Sequence, residues 1–126
     1  MTTKKRVLLS IHPEYANAIL DGRKKFEFRR VIFKRPVSEI VVYATQPIGR
    51  VLGRFTIEDI FMDVPKDIWK KTAKQGGVSK EKFDDYFENR ARAFAIKVGN
   101  PTRFLTPQPL SRYIASNVPP QSFCYV

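Results

Sequence analysis

The chain holds one cysteine and one histidine among its 126 residues, only 12 acidic residues, and no apolar run long enough to cross a bilayer. Each scarcity excludes something. A lone Cys124 rules out an internal disulfide and any multi-cysteine zinc site, which agrees with a reducing compartment. The single His12 has no histidine partner with which to form a dyad, so no metal and no cofactor are expected. Uninterrupted apolar stretches fall well short of the roughly 18 residues of a membrane span. The start, Met1, Thr2, Thr3, Lys4, Lys5 and Arg6, lacks the apolar segment of a secretory signal. The expectation is a soluble, cytoplasmic protein. Apolar residues at 43% and charged residues at 28% are the usual globular mixture, and the length suits a single domain spanning residues 1–126.

Acids are scarce against 23 Lys and Arg, which leaves a net charge of +11 and a pI near 10.0. Such an excess draws polyanions, since counterions released from phosphates favour association. The charge is uneven. Seven basic residues stand between Arg23 and Arg35 against one acid, Glu27, whereas Asp84, Asp85 and Glu88 make the later part locally acidic.

Val7 to Ile11 has the length and β-branched character of a strand. His12-Pro13 then opens a two-turn helix with Tyr15, Ala16, Ile19 and Leu20 at helical spacing, His12 closing its start and Gly22 ending it. Alternation from Lys25 to Phe33 predicts a second strand, with Phe26, Phe28 and Ile32 on one face and Glu27 and Arg29 on the other. Ile40–Ala44 and Val51–Ile60 read as two more strands, Gly53 marking a bulge or close contact. A helical insertion follows: Asp63 is expected to cap a helix entered at Pro65, and Ser79 to cap another after Gly76-Gly77. Trp69 is read as core beneath it. Ala91–Val98 returns to strand, Thr106–Leu110 is extended, a helical turn spans Leu110–Ser116, and Ser122–Val126 closes the chain as a strand containing a packed Cys124. Five or six short strands with helices confined to one crossover and one insertion indicate an α+β fold, a small mixed β-barrel, rather than a doubly wound sheet.

The densest chemical signal is Gly22-Arg23-Lys24-Lys25-Phe26-Glu27-Phe28-Arg29. Glu27 and Arg29, two apart on a strand, share a face, and Lys24 reaches toward them from the preceding turn. A carboxylate between two bases can accept hydrogen bonds from a nucleobase edge or water, and a guanidinium offers a planar fork to phosphate or carbonyl. The plain alternative is an intrastrand ion pair on a solvated face.

Gly22, Lys24, Glu27 and Arg29 fill every fixed position of the G-x-K-x-x-E-x-R signature, and the chain resembles the ASCH domain family of the PUA-like superfamily. The likeness extends to Leu9-Ser10-Ile11-His12-Pro13-Glu14-Tyr15-Ala16, Tyr43-Ala44-Thr45-Gln46-Pro47 and Pro119-Pro120-Gln121-Ser122-Phe123, nearly the whole length. The resemblance implies a barrel with a cleft beside the first helix, lined by Lys24, Glu27 and Arg29, that takes RNA or a modified nucleotide. Ser10 and Thr45, at strand ends, could add hydroxyls, and Tyr15 and Tyr43 could stack on a base. Some members resemble hydrolases, either amidohydrolases on acetylated cytidine or ribonucleases. The amidohydrolase type carries threonine where this chain has Glu27, so Lys24 and Glu27, the catalytic pair if the chain is an enzyme, do not by themselves supply a hydroxyl nucleophile.

The leading expectation is therefore an RNA-binding module whose cleft holds one nucleotide while Arg23, Lys25, Arg30, Lys34 and Arg35 track the backbone. The rival is a small hydrolase using the same cleft, with Ser10 or Thr45 as nucleophile. An adaptor offering its positive face to an acidic protein is the third reading.

Overall fold

The computed structural model describes residues 5–126. Its framework is one six-stranded sheet in the order β2-β5-β4-β3-β1-β6, formed by β1 (Arg6–Ile11), β2 (Phe26–Arg29), β3 (Glu39–Ala44), β4 (Arg50–Asp63), β5 (Ala93–Gln108) and β6 (Phe123–Tyr125). Only β1 and β3 run parallel, joined across the first helix, α1 (Pro13–Leu20); every other pair is antiparallel. The sheet curls into the mixed small barrel expected. Two helices, α2 (Pro65–Thr72) and α3 (Lys80–Tyr86), form the insertion between β4 and β5. No helix among the described residues is long and apolar enough to cross a membrane.

Period-two alternation divides the sheet's side chains between three apolar clusters. Val7, Leu9 and Ile11 of β1 join Val42, Phe55, Ile96 and Ile19 of α1 inside the curl. Leu8 points the other way, into an outer cluster with Val41, Tyr43, Val51 and Leu110 that also takes the half-buried Cys124. Phe26 and Phe28 pack with Ile68, Phe83 and Phe87 of the insertion, and half-buried Trp69 rests on Phe83 with ring centroids 5.1 Å apart.

Several boundaries differ from the sequence expectation for identifiable reasons. The second strand stops at Arg29 rather than Phe33, because its partner β5 begins at Ala93 and pairing ends at Arg29 with Phe94. Ile32 and Phe33 turn back to plug the barrel instead, Phe33 meeting Phe123 edge-on at 5.9 Å. Ile32 is thus in the inner cluster, not beside Phe26 and Phe28. β4 runs on to Asp63, paired with Ala93. β5 continues through Pro101 to Gln108 because the β4–β5 register shifts between Arg54 and Thr56, which leaves Asn100 and Pro101 outside the ladder, where a missing N–H costs nothing. Gly53 is the expected close contact: a Cβ there would lie 2.3 Å from the Thr102 carbonyl oxygen. Asp63 does not cap α2. Pro65 forces the residue before it into extended backbone, so Val64 is the boundary, and the Asp63 carboxylate accepts from the Val64 N–H at 2.8 Å. Ser79 does cap α3, accepting from the Lys82 N–H. The late helical turn is a single 3-10 turn, Leu110–Arg112.

The six-strand ladder leaves β2 and β6 as its two edges, and a side chain closes the gap. Arg29 Nη2 donates to the Ser122 hydroxyl at 2.7 Å and to its carbonyl at 3.2 Å, while Nη1 donates to the Ser10 carbonyl at 3.4 Å and to Glu27 Oε2 at 3.1 Å. Both members of the ion pair are nearly buried, with side chains 10% and 7% exposed. Arg29→Met is expected to cost about 3–5 kcal/mol in urea denaturation, because it strands a buried carboxylate. Adding Glu27→Gln should recover part of that loss.

Candidate functional site

Between α1, the strand ends and the insertion lies a cavity of about 620 Å³, within the range of small-molecule sites. Its floor is the β2 segment. Phe28 faces the insertion while Glu27 and Arg29 face the barrel, so alternation presents the motif's polar groups to the space between the two cores. Glu27 Oε2 is held by Arg29; Oε1 accepts from no described protein donor, yet no buried side-chain oxygen among the described residues lacks a partner, so Oε1 must reach the cavity.

Lys24 is the unusual member. Its residue is 2% exposed and makes no ion pair among the described residues. Nζ donates to the Gly76 carbonyl at 2.5 Å and lies 4.6 Å from the centre of the Phe28 ring and 5.2 Å from that of Tyr15. Burial pushes its pKa from the ordinary lysine value down to about 8, with the Glu27 carboxylate opposing that shift. A cation so placed costs the fold free energy unless something compensates, and such groups concentrate at working sites. An ammonium carries three donors and Gly76 uses one.

The Gly76-Gly77 turn is fitted to this lysine. Gly77 sits at φ +67°, and a Cβ there would be 2.7 Å from Lys24 Cγ. The Lys25 N–H donates to the Gln75 carbonyl at 2.8 Å, fastening the same turn to the motif. The insertion is thereby the roof of the site.

Of the residues expected to bind ligand, the structure brings together Ser10, Tyr15, Lys24, Glu27 and Arg29, with Arg30 at the rim. Ser10 Oγ donates to the Pro120 carbonyl at 2.6 Å. Tyr43 and Thr45 are not in the cavity lining. Tyr43, 3% exposed, is buried in the outer cluster because it lies on the opposite face of β3 from Val42, and Thr45 belongs to the turn after β3, its N–H donating to Ile11. Arg29 spends its donors on the seam described above. Among the backbone candidates, Arg30 lies 4.6 Å over the Tyr86 ring; Arg23 pairs with Asp21 at 3.1 Å; Lys25 is exposed; and Lys34 and Arg35 are exposed in a loop whose N–H groups donate to the Tyr125 hydroxyl, with Arg35 over that ring at 4.6 Å. Lys25, Lys34 and Arg35 lie outside the cavity lining.

Sequence reasoning missed the insertion's contribution: Lys82, Tyr86, Asp85 and Arg90 all line the cavity. It also assigned His12 to closing the helix. His12 does occupy the N-cap position, but its side chain makes no capping hydrogen bond; it is exposed and lines the cavity, 6.0 Å from the Tyr15 ring. The side chain's freedom from capping was the signal available, since imidazole is a poor substitute for Ser, Thr, Asp or Asn at that position.

A family model described as ASCH domain matches residues 9–102. The chain belongs to the ASCH domain family. An ASCH domain-containing ribonuclease from Zymomonas mobilis is 32% identical over 98% of this chain and 85% of that protein. A protein called large ribosomal subunit protein uL22, from Ureaplasma parvum, is 29% identical over 88% of this chain but only 36% of its own length. The crystal structure of ASCH from Zymomonas mobilis superposes with a TM-score of 0.90 at 30% identity, covering 98% of this chain and 89% of that one. The N-terminal domain of Staphylothermus marinus McrB, at 12% identity and a TM-score of 0.53, shares the fold.

For this ASCH domain, Gly77→Ala tests the roof. Left-handed backbone costs a residue with a Cβ about 1–2 kcal/mol, and the new methyl must displace the Lys24 stem. The titration midpoint of the Lys24 amine, followed by NMR, is expected to move from about 8 back toward 10.5 as the ammonium regains water.

Proposed function

We propose that this ASCH domain binds RNA and takes one nucleotide into the cavity, where Glu27 Oε1 accepts from the base edge and Lys24 donates to an adjoining carbonyl, ring nitrogen or phosphate. The observation that carries the reading is the buried Lys24 ammonium, paired with no acid among the described residues, beside a carboxylate with one oxygen open to the same cavity. Arg30, Lys82 and Arg90 around the rim supply positive charge for the phosphates, and Tyr15 and Tyr86 offer faces for stacking. The relationship to a protein named a ribonuclease supports RNA as the partner.

That relationship also favours a second reading, cleavage of the bound RNA in the same cavity. RNA brings its own nucleophile, since its 2′-hydroxyl can attack the neighbouring phosphorus and expel the 5′-oxygen. The enzyme need only move protons and stabilise charge. His12 and Lys24 both line the cavity, and an amine with a pKa near 8 suits proton transfer near neutral pH. An acyl-transfer mechanism with a protein hydroxyl is less well supported. Ser10 gives its proton to a carbonyl rather than to a base, and Thr45 lies outside the cavity lining.

Fluorescence anisotropy with short single-stranded RNAs tests the binding reading. Arg30→Ala is expected to weaken all sequences alike and reduce the salt slope by about one, whereas Glu27→Gln changes nucleotide preference. A lowered pKa means the Lys24 ammonium loses its proton as pH rises through about 8. Affinity should accordingly be flat below that point and fall by up to about tenfold per pH unit above it, with the inflection missing in Lys24→Arg. Binding that ignores salt, pH and all three substitutions would overturn the proposal. Cleavage is read separately by chromatography: products lost in His12→Ala and Lys24→Met support the second reading, and intact RNA at high protein concentration removes it.

A further inference from the structure

Beside the main cavity lies a second hollow of about 260 Å³ bordered by Glu14, Tyr15, Gly77, Val78, Ser79 and Lys82. Three of these residues, Tyr15, Val78 and Lys82, also line the main cavity. The hollows therefore share a wall, and it runs from α1 through the loop that precedes α3 to the first turn of α3. At this size the second hollow falls below the roughly 300 Å³ of an independent small-molecule site, but it has room for one flat ring continuing from a ligand next door.

We infer that the two hollows form one groove for two consecutive nucleotides of a single strand, with the second base against Tyr15 and Val78 and the phosphate between the two nucleotides at Lys82. This rests on the main cavity taking a nucleotide. The groove's chemistry matches a phosphodiester step. Lys82 stands where the hollows meet, as the joining phosphate would, and its contact with Glu14 is long, 4.0 Å, between side chains 60% and 65% exposed. A phosphate can displace such a partner at little cost. Gly77 borders the second hollow and packs directly on the Lys24 stem, a Cβ there lying 2.7 Å from Lys24 Cγ, so the two hollows are built on the same turn. Both bases must leave their stacks to enter, which selects unpaired RNA over a duplex.

Calorimetric titration with the four nucleoside 5′-monophosphates and with dinucleoside monophosphates tests the groove. A dinucleoside monophosphate carries no more charge than a mononucleotide, so electrostatics alone predicts no gain. The best dinucleoside monophosphate is expected to bind at least about tenfold tighter than the best mononucleotide, a ratio typical of one stacked base. Lys82→Ala should shrink that ratio to within twofold, and Glu14→Gln, which removes the carboxylate 4.0 Å from Lys82 Nζ, should enlarge it. If mononucleotides bind in a Lys24-dependent way but the second residue adds nothing, or if neither substitution moves the ratio, the two-nucleotide groove is wrong while the single-nucleotide cavity stands. If no mononucleotide or dinucleotide binds at all, the cavity reading falls, and the groove falls with it.

Discussion

A guanidinium does here what backbone pairing cannot. The Ser10 N–H donates to the Ser122 carbonyl at 3.1 Å, but strands β2 and β6 end the ladder and, among the described residues, do not pair with each other, which leaves a gap. Arg29 fills it with a planar set of donors shared among two carbonyls, a hydroxyl and the Glu27 carboxylate. Lysine could not satisfy these acceptors, having a compact charge without a fixed fork. The buried pair with Glu27 need not add net stability, since desolvation offsets much of its attraction. Its effect is geometric: one carboxylate oxygen is fixed in the seam, and the other is left pointing into the cavity.

Lys24 answers a different constraint. Among the described residues it has no acid within pairing distance, and it is held by the Gly76 carbonyl of the insertion, the Tyr15 ring of α1 and the Phe28 ring of β2. The spacing of the motif follows from this. Glu27 and Arg29, two apart, face the barrel, and Phe26 and Phe28, alternating with them, face the insertion. Lys24, two before Phe26, lies just ahead of the strand, where its ammonium can reach under the Gly76-Gly77 turn. Signature and fold are one pattern, because the polar residues that line the cavity alternate with the apolar residues that join the two cores.

The strands and the motif were legible in the sequence because both are local. Apolar runs such as Val7–Ile11 and Ile40–Ala44 have one reading, and Gly22, Lys24, Glu27 and Arg29 sit within eight residues. What was illegible depended on partners far along the chain. Tyr43 looked available beside a turn, but only the outer cluster formed by Leu110 and Phe104 reveals that it is covered. The alternation of Lys25–Phe33 seemed to continue past Arg29, yet the length of β2 is set by where β5 begins. Lys82, Tyr86 and Arg90 belong to an insertion whose own composition, with Asp84, Asp85 and Glu88 nearby, pointed away from polyanions. Their role becomes visible only once the helices fold over Lys24.

The positive charge divides into two populations that respond to their surroundings differently. Arg30, Lys82 and Arg90 are exposed at the rim, so salt screens them within a Debye length of about 8 Å and their field bears chiefly on the approach of charged molecules. Lys24 is withheld from water, and its interactions are worth more per contact and are screened far less. A ligand that neutralised only the rim would leave the buried ammonium's desolvation unrelieved. One that reached the floor would repay a cost already built into the folded protein. The energetic asymmetry therefore favours an anionic chain that can send a hydrogen-bonding ring past the rim, which an inorganic anion held at the surface cannot do.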